Sequence, residues 1–204
     1  QSGGEPVGPM AVVKQGDARK LDIQAASIDL VLTSPPYLNA IDYMRCSKFS
    51  LVWMGYNVDQ LRDIRGESVG AEASSEEALD APWVQSLIKQ LGLSPKLSTR
   101  DTGLLARYIF DMGGALSEVS RVLKAGGRAV YVVGDSTVRG TFVRNSAIVE
   151  AVAQRHGLVL HDKRSRVLPA NRRYLPPPQK GADSASIEGR MRREVVLAFT
   201  KPAR

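Results

Sequence analysis

One cysteine, Cys46, in 204 residues leaves no partner for an internal disulfide and excludes a zinc site built on cysteine. The two histidines, His156 and His161, are too few and too poorly placed to argue for a metal centre. No run of 18 apolar residues occurs, so no transmembrane helix and no membrane partner is expected. The first residues lack the basic-then-apolar pattern of a signal peptide. Together these absences suit a protein of a reducing cytoplasm. Acid is also in short supply. Twenty-one Asp and Glu face 28 Lys and Arg, leaving a net charge of +7 and a pI near 9.7. Such a balance favours a polyanionic partner, with nucleic acid first among candidates.

What is present reads as an ordinary globular chain, 43% hydrophobic and 24% charged. The charge is unevenly spread. Residues 59–80 lean acidic, whereas residues 139–193 are strongly basic. Lys163, Arg164, Arg166, Arg172 and Arg173 make that basic stretch the candidate for phosphate contact. Residues 1–9 are rich in Gly, Pro and Ser and read as a linker or a cut end.

Hydrophobic periodicity then sets out the elements. Residues 10–14 read as a short strand, followed by a tight turn with Asp17 just past its end. In open α/β sheets ligands sit outside the carboxyl ends of the strands. Asp17 is therefore placed either to accept from a ligand hydroxyl or amine, or simply to cap its own turn. Residues 28–33 read as a strand covered on both faces. Residues 38–55 have mixed helical character, with Ile41, Met44, Phe49, Val52 and Trp53 able to share a face. An insert over about 56–100 carries short helices broken by Gly and Pro, with Pro82 suited to a first helical turn. The clearest helix spans 101–124, and its Gly113–Gly114 pair suggests close packing. Gly126–Gly127 should close it as a C-cap. A buried strand at 128–133, a helix at 144–156 and strands at 158–167 and 194–200 follow. The last two lack a helix between them and should pair antiparallel. The sum is an α/β domain over residues 10–204, its sheet mostly parallel with an antiparallel C-terminal strand.

The most informative stretch ends the strand at 28–33: Ser34-Pro35-Pro36-Tyr37. Each proline fixes its own φ and removes a donor, and Pro35 drives Ser34 out of the α region. The result is a stiff turn holding a hydroxyl, free carbonyls and an aromatic ring.

This turn, with Gly16-Asp17-Ala18-Arg19, Ser27-Ile28-Asp29-Leu30-Val31 and Leu123-Lys124-Ala125-Gly126-Gly127, resembles the amino-directed DNA methyltransferases that use S-adenosylmethionine. The likeness is best to the cytosine-N4 type, which carries Ser at the first motif position. It implies a Rossmann-like class I methyltransferase sheet and transfer of a methyl group to the exocyclic amino group of a flipped base in DNA. It implies that Ser34, Pro35, Pro36 and Tyr37 form the catalytic turn, with Ser34 Oγ and the Pro35 carbonyl accepting from the amino group and Tyr37 stacking on the base. It implies Asp17, Ala18 and Ser34 as cofactor contacts, and a setting in DNA methylation and restriction-modification. Two further readings are an RNA guanine amino-group methyltransferase and a non-catalytic nucleic-acid-binding relative.

One departure stands out. The family's Gly-rich cofactor loop, of the Phe-x-Gly-x-Gly kind, is not found in these residues. The resemblance therefore implies an incomplete sheet, completed by a missing N-terminal segment or by a second chain that supplies the loop.

Overall fold

The structure is a computed structural model and describes residues 11–38, 43–69, 75–138, 141–168 and 193–203. A four-stranded sheet is built from β1 (Ile28–Thr33), β2 (Leu123–Gly134), β5 (Val159–Val167) and β6 (Arg193–Thr200), in the order β1-β2-β6-β5. β1 and β2 are parallel, while β6 runs against both β2 and β5. Three strands thus share one direction and the last is reversed, as the pattern of elements predicted. β3 (Ser136–Val138) and β4 (Thr141–Val143) form a separate hairpin just past the end of β2.

One face of this sheet is covered by α5 (Thr99–Val122) and α6 (Asn145–Arg155). Ser98 starts α5 by accepting from the Asp101 amide, which satisfies one of the helix's orphan donors. Leu105, Ile109, Met112, Leu116 and Val119 recur at helical spacing and all are buried. They meet Ala129, Tyr131, Val133, Leu197 and Phe199 from the sheet. Tyr131 and Phe199 pack edge to face, with centroids 6.1 Å apart.

The insert forms α2 (Val58–Glu67), α3 (Glu76–Asp80), α4 (Pro82–Gln90) and a 3-10 turn at Ser94–Lys96. Pro82 does begin α4. From that helix Trp83 reaches α5 at Gly113, where an added Cβ would lie 2.8 Å from the indole. The neighbouring Gly114 makes room for the aliphatic stem of Arg19, at 3.3 Å. The glycine pair therefore marks close packing on two sides of one helix.

Several expectations need correcting. Residues 11–14 form no strand, and Val12 and Val13 are 81% and 95% exposed. No neighbouring strand among the described residues takes their backbone hydrogen bonds. β1 is covered on one face only, with Leu30 57% and Leu32 70% exposed. Among the described residues it is also a sheet edge, with β2 as its strand neighbour. α1 (Tyr43–Trp53) is helical as read, and Phe49, Val52 and Trp53 are exposed. α5 ends at Leu123 in extended backbone, and Gly126, at φ +77°, serves a turn within β2 instead. Gly127 is needed beside it, since a Cβ there would meet the Lys124 carbonyl at 2.8 Å.

Candidate functional site

The strand ends gather the polar residues at one edge of the sheet. Ser34 follows β1, Gly134 ends β2 with Asp135 and Ser136 just past it, Arg166 lies near the top of β5, and Glu194 lies at the start of β6. Ser34 is exposed. Its Oγ donates to the Val132 carbonyl at 3.0 Å, extending the β1–β2 ladder by one side-chain bond. Its second partner is the Tyr37 hydroxyl, also at 3.0 Å. A serine has one proton, and a carbonyl can only accept. With the Ser34 proton on Val132, Tyr37 donates to Ser34. In this arrangement Ser34 Oγ keeps capacity to accept one more hydrogen bond.

Pro35 is buried and Pro36 half-buried, so the turn is seated in the core rather than perched on it. Tyr37 departs from expectation. Its ring is 7% exposed and belongs to the hydrophobic core, so the face expected to stack on a base is covered here. The stiff double-proline turn points the ring inward, where its hydroxyl finds Ser34. Burial raises the phenol above its usual range, with the Glu194 carboxylate adding to the effect.

Behind the turn lies a buried amide relay. Asn145, fully buried at the start of α6, donates to the Gly134 carbonyl at 2.9 Å and to Ser136 Oγ at 3.1 Å. Ser136 in turn donates to the Leu38 carbonyl at 2.6 Å. The relay fixes the backbone immediately after Tyr37. Asp135 accepts from the Ser146 amide at 3.0 Å and so caps α6.

Asp17 sits in a tight turn closed by a Lys20 amide to Asp17 carbonyl bond of 3.0 Å. Its carboxylate accepts from the Arg19 amide at 2.8 Å and from the Arg19 guanidinium at 2.8 and 3.1 Å. The Arg19 guanidinium holds the carboxyl below its ordinary range. Asp17 does cap its own turn, and its side chain stays 46% exposed. Ala18 is exposed at the tip. The height of this turn is set by α5. Leu21 donates its amide to Glu118, Arg121 donates to the Leu21 and Ile23 carbonyls, and the Ser27 amide meets the Val122 carbonyl. Residues 17–27 thus descend the flank of α5 to its foot. Arg19 bonds Asp111, about three turns or 16 Å up that helix, while the 6 residues of β1 climb about 20 Å. Asp17 therefore lies roughly level with the strand end that carries Ser34.

The basic residues behave differently from the prediction. Lys163 pairs with Glu150 of α6 at 2.7 Å, whereas Arg164 pairs with Asp162 at 2.7 Å and Arg166 with Glu194 at 2.8 Å. Strand alternation puts Lys163 on the helix-covered face and the two arginines on the other. The three do not form one patch, and each has a carboxylate partner. Arg172 and Arg173 lie outside the described residues. A shallow cavity of about 450 Å³ on the uncovered face is lined by Arg128, His161, Asp162 and Arg164. It does not touch Ser34 or Asp17.

Arg19, Asp111, Asn145, Ser136 and Glu194 were not singled out from the sequence. Only Arg19 carried a signal, as part of the Gly-Asp-Ala-Arg run. The others become visible once β2, α5 and α6 are assembled. Among the described residues no group of three His, Cys, Asp or Glu is placed to hold a metal ion, and no helix is long and apolar enough to cross a membrane.

No protein-family model matches the chain, and no curated protein matches its sequence. Solved structures do resemble it. The cytosine-N4-specific PvuII DNA methyltransferase superposes with a TM-score of 0.50 at 17% identity, over 91% of this chain and 47% of its own. The Thermus thermophilus protein TTHA0409, described as a candidate DNA modification methylase, aligns at 20% identity with a TM-score of 0.45, over 93% of this chain and 53% of its own. That protein has also been crystallised with S-adenosyl-L-methionine; the complex aligns at 17% identity with a TM-score of 0.44, over 93% of this chain and 52% of its own. This chain thus spans about half the length of the structures it matches. The PvuII superposition shows the fold: an α/β sheet of the methyltransferase type, small in this chain.

Proposed function

We propose that the chain is the base-binding part of an S-adenosylmethionine-dependent DNA methyltransferase that modifies an exocyclic amino group, cytosine N4 foremost. The observation that carries this reading is the pair of hydrogen bonds that fixes Ser34 Oγ at the end of β1. Its proton is committed to Val132 and its oxygen is exposed at a strand end, backed by the Pro35–Pro36 turn. An amino group on a base is a poor nucleophile because its lone pair is delocalised into the ring. Acceptors aimed at its N–H bonds favour the pyramidal form and localise that pair. Ser34 Oγ and the Pro35 carbonyl supply such acceptors. Tyr37 acts as the donor that orients Ser34, and half-buried Pro36 offers apolar surface to a base flipped out of the duplex. Catalysis then rests on positioning, with no covalent enzyme intermediate.

The fit of the cofactor is partial. Asp17 and Ala18 provide an exposed carboxylate and a small residue level with Ser34, suited to the hydroxyl and amino groups of an adenosine. When bound, S-adenosylmethionine supplies the sulfonium methyl group. We propose that a unit bearing the Gly-rich loop, from the same polypeptide or from a second chain, completes the sheet along β1. The free edge of β1 and the exposure of Leu30 and Leu32 support this. DNA is the proposed substrate and partner, with Lys163, Arg164, Arg166, Arg172 and Arg173 as proposed phosphate contacts.

The test is transfer of labelled methyl from S-adenosylmethionine to duplex DNA and to tRNA, by this chain alone and by the gene product that includes its flanking coding sequence. DNA labelling is expected from the completed protein, and Ser34→Ala should lower kcat about a hundredfold. Labelling of tRNA instead of DNA, or no cofactor binding by calorimetry in either form, overturns the reading.

A further inference from the structure

The helical insert is tied to the Asp17 turn by charge, not by apolar packing. Arg19 and Arg107 converge on one carboxylate, that of Asp111. Arg19 reaches Oδ1 and Arg107 reaches Oδ2, each at 2.8 Å. The Asp111 side chain is only 4% exposed, and both guanidiniums lie against its two oxygens. The same two guanidiniums extend to the end of α2. Arg19 donates to the Glu67 carbonyl at 2.7 Å and Arg107 to the Gly66 carbonyl at 3.3 Å. These are last-turn carbonyls of a helix, which lack partners within the helix and carry the negative end of its dipole. Arg19 also grips Asp17, and its stem needs the space left by Gly114. α2 itself has one buried apolar residue, Leu61, so the charged contacts carry a large share of its attachment to α5.

We propose that Arg19, Arg107 and Asp111 form a clasp that holds the C-terminal end of α2 against the Asp17 turn, making the insert a wall of the proposed cofactor site. Arg19 and Arg107 are positioning residues in this account. They present Asp17 in one orientation and keep α2 closed beside it. The cofactor half of the proposal rests on the methyltransferase reading; the clasp itself does not.

The experiment separates the two. Amide hydrogen exchange is followed in wild type, Arg107→Met and Arg107→Lys, alongside calorimetric titration with S-adenosylhomocysteine of the protein completed by its flanking sequence. Arg107 lies on the rim of α5, so its replacement should leave the protein folded. In Arg107→Met, amides of α2 should exchange at least about tenfold faster while those of β2 and β6 hold their rates. Affinity for S-adenosylhomocysteine should fall about five- to tenfold. Arg107→Lys keeps the charge beside Asp111 and should recover part of both. Unchanged exchange in α2 overturns the clasp. A looser α2 with unchanged affinity overturns the link to the cofactor site. If wild type binds no S-adenosylhomocysteine, the cofactor half falls with the methyltransferase reading, and the exchange data still decide the clasp.

Discussion

The two faces of the sheet are made from alternate residues of the same strands, yet they live in different surroundings. On the face under α5 and α6, Ala129, Tyr131, Val133, Leu197 and Phe199 are buried. On the other face, one step along each strand, Val130, Val132, Val196 and Ala198 are half-buried and Leu30 and Leu32 are exposed. The residue types barely differ. Strands that are apolar on both sides belong to sheets covered on both sides, and the described residues supply one cover. The contrast supports the proposal that a further layer packs on the open face.

The largest test of this contrast is a pair of neighbours. Leu197→Ala removes a fully buried side chain from the covered face and should cost about 2–5 kcal/mol in urea unfolding. Val196→Ala, pointing the other way, should cost under about 1 kcal/mol, because much of its surface already meets water. Equal losses would mean that the two faces are equally packed.

A smaller effect probes how deep the covered side goes. Trp83 of α4 is sandwiched between Gly113, the Phe110 ring at 6.4 Å and the Arg155 guanidinium at 4.8 Å. Gly113→Ala gains about 1 kcal/mol of helix propensity but pushes a methyl into the indole, an overpacking worth about 1–3 kcal/mol. The net expectation is a loss of about 1 kcal/mol in thermal unfolding. Gly114→Ala meets Cβ and Cγ of Arg19 at 3.3 Å, a milder clash than at Gly113, so its net cost should be smaller than that of Gly113→Ala. The insert is thus a third layer over α5, fixed at Trp83 and at the clasp.

Much of the fold was legible because it rests on local signals. The stripe of α5, Pro82 at the head of α4 and the reversed last strand all follow from periodicity or short connections. The Ser34 turn was legible as chemistry, since two prolines leave a chain few options. What the residues themselves did not show is environment. Nothing in Val12-Val13 says that no strand lies beside them. Nothing in Tyr37 says whether its ring faces a substrate or the core. The ion pairs of Lys163, Arg164 and Arg166 join residues 2 to 28 positions apart, and a linear charge count sees only the surplus of cations. Asp111 looked like one more polar residue on a helix until two arginines met it.

The smallest expected effect is the most telling. Leu32 is 70% exposed, so Leu32→Ser in this chain alone should change stability by no more than about 0.5 kcal/mol. If the proposed second layer covers the open face, the same substitution should cost several times more in the protein with its flanking sequence, since burial of a leucine is worth about 2 kcal/mol. The ratio between the two measurements, not either value alone, tests for that layer. A large loss in this chain by itself would show that its own remaining residues already cover Leu32. The open face would then be closed from within, and β1 would need no partner to finish it.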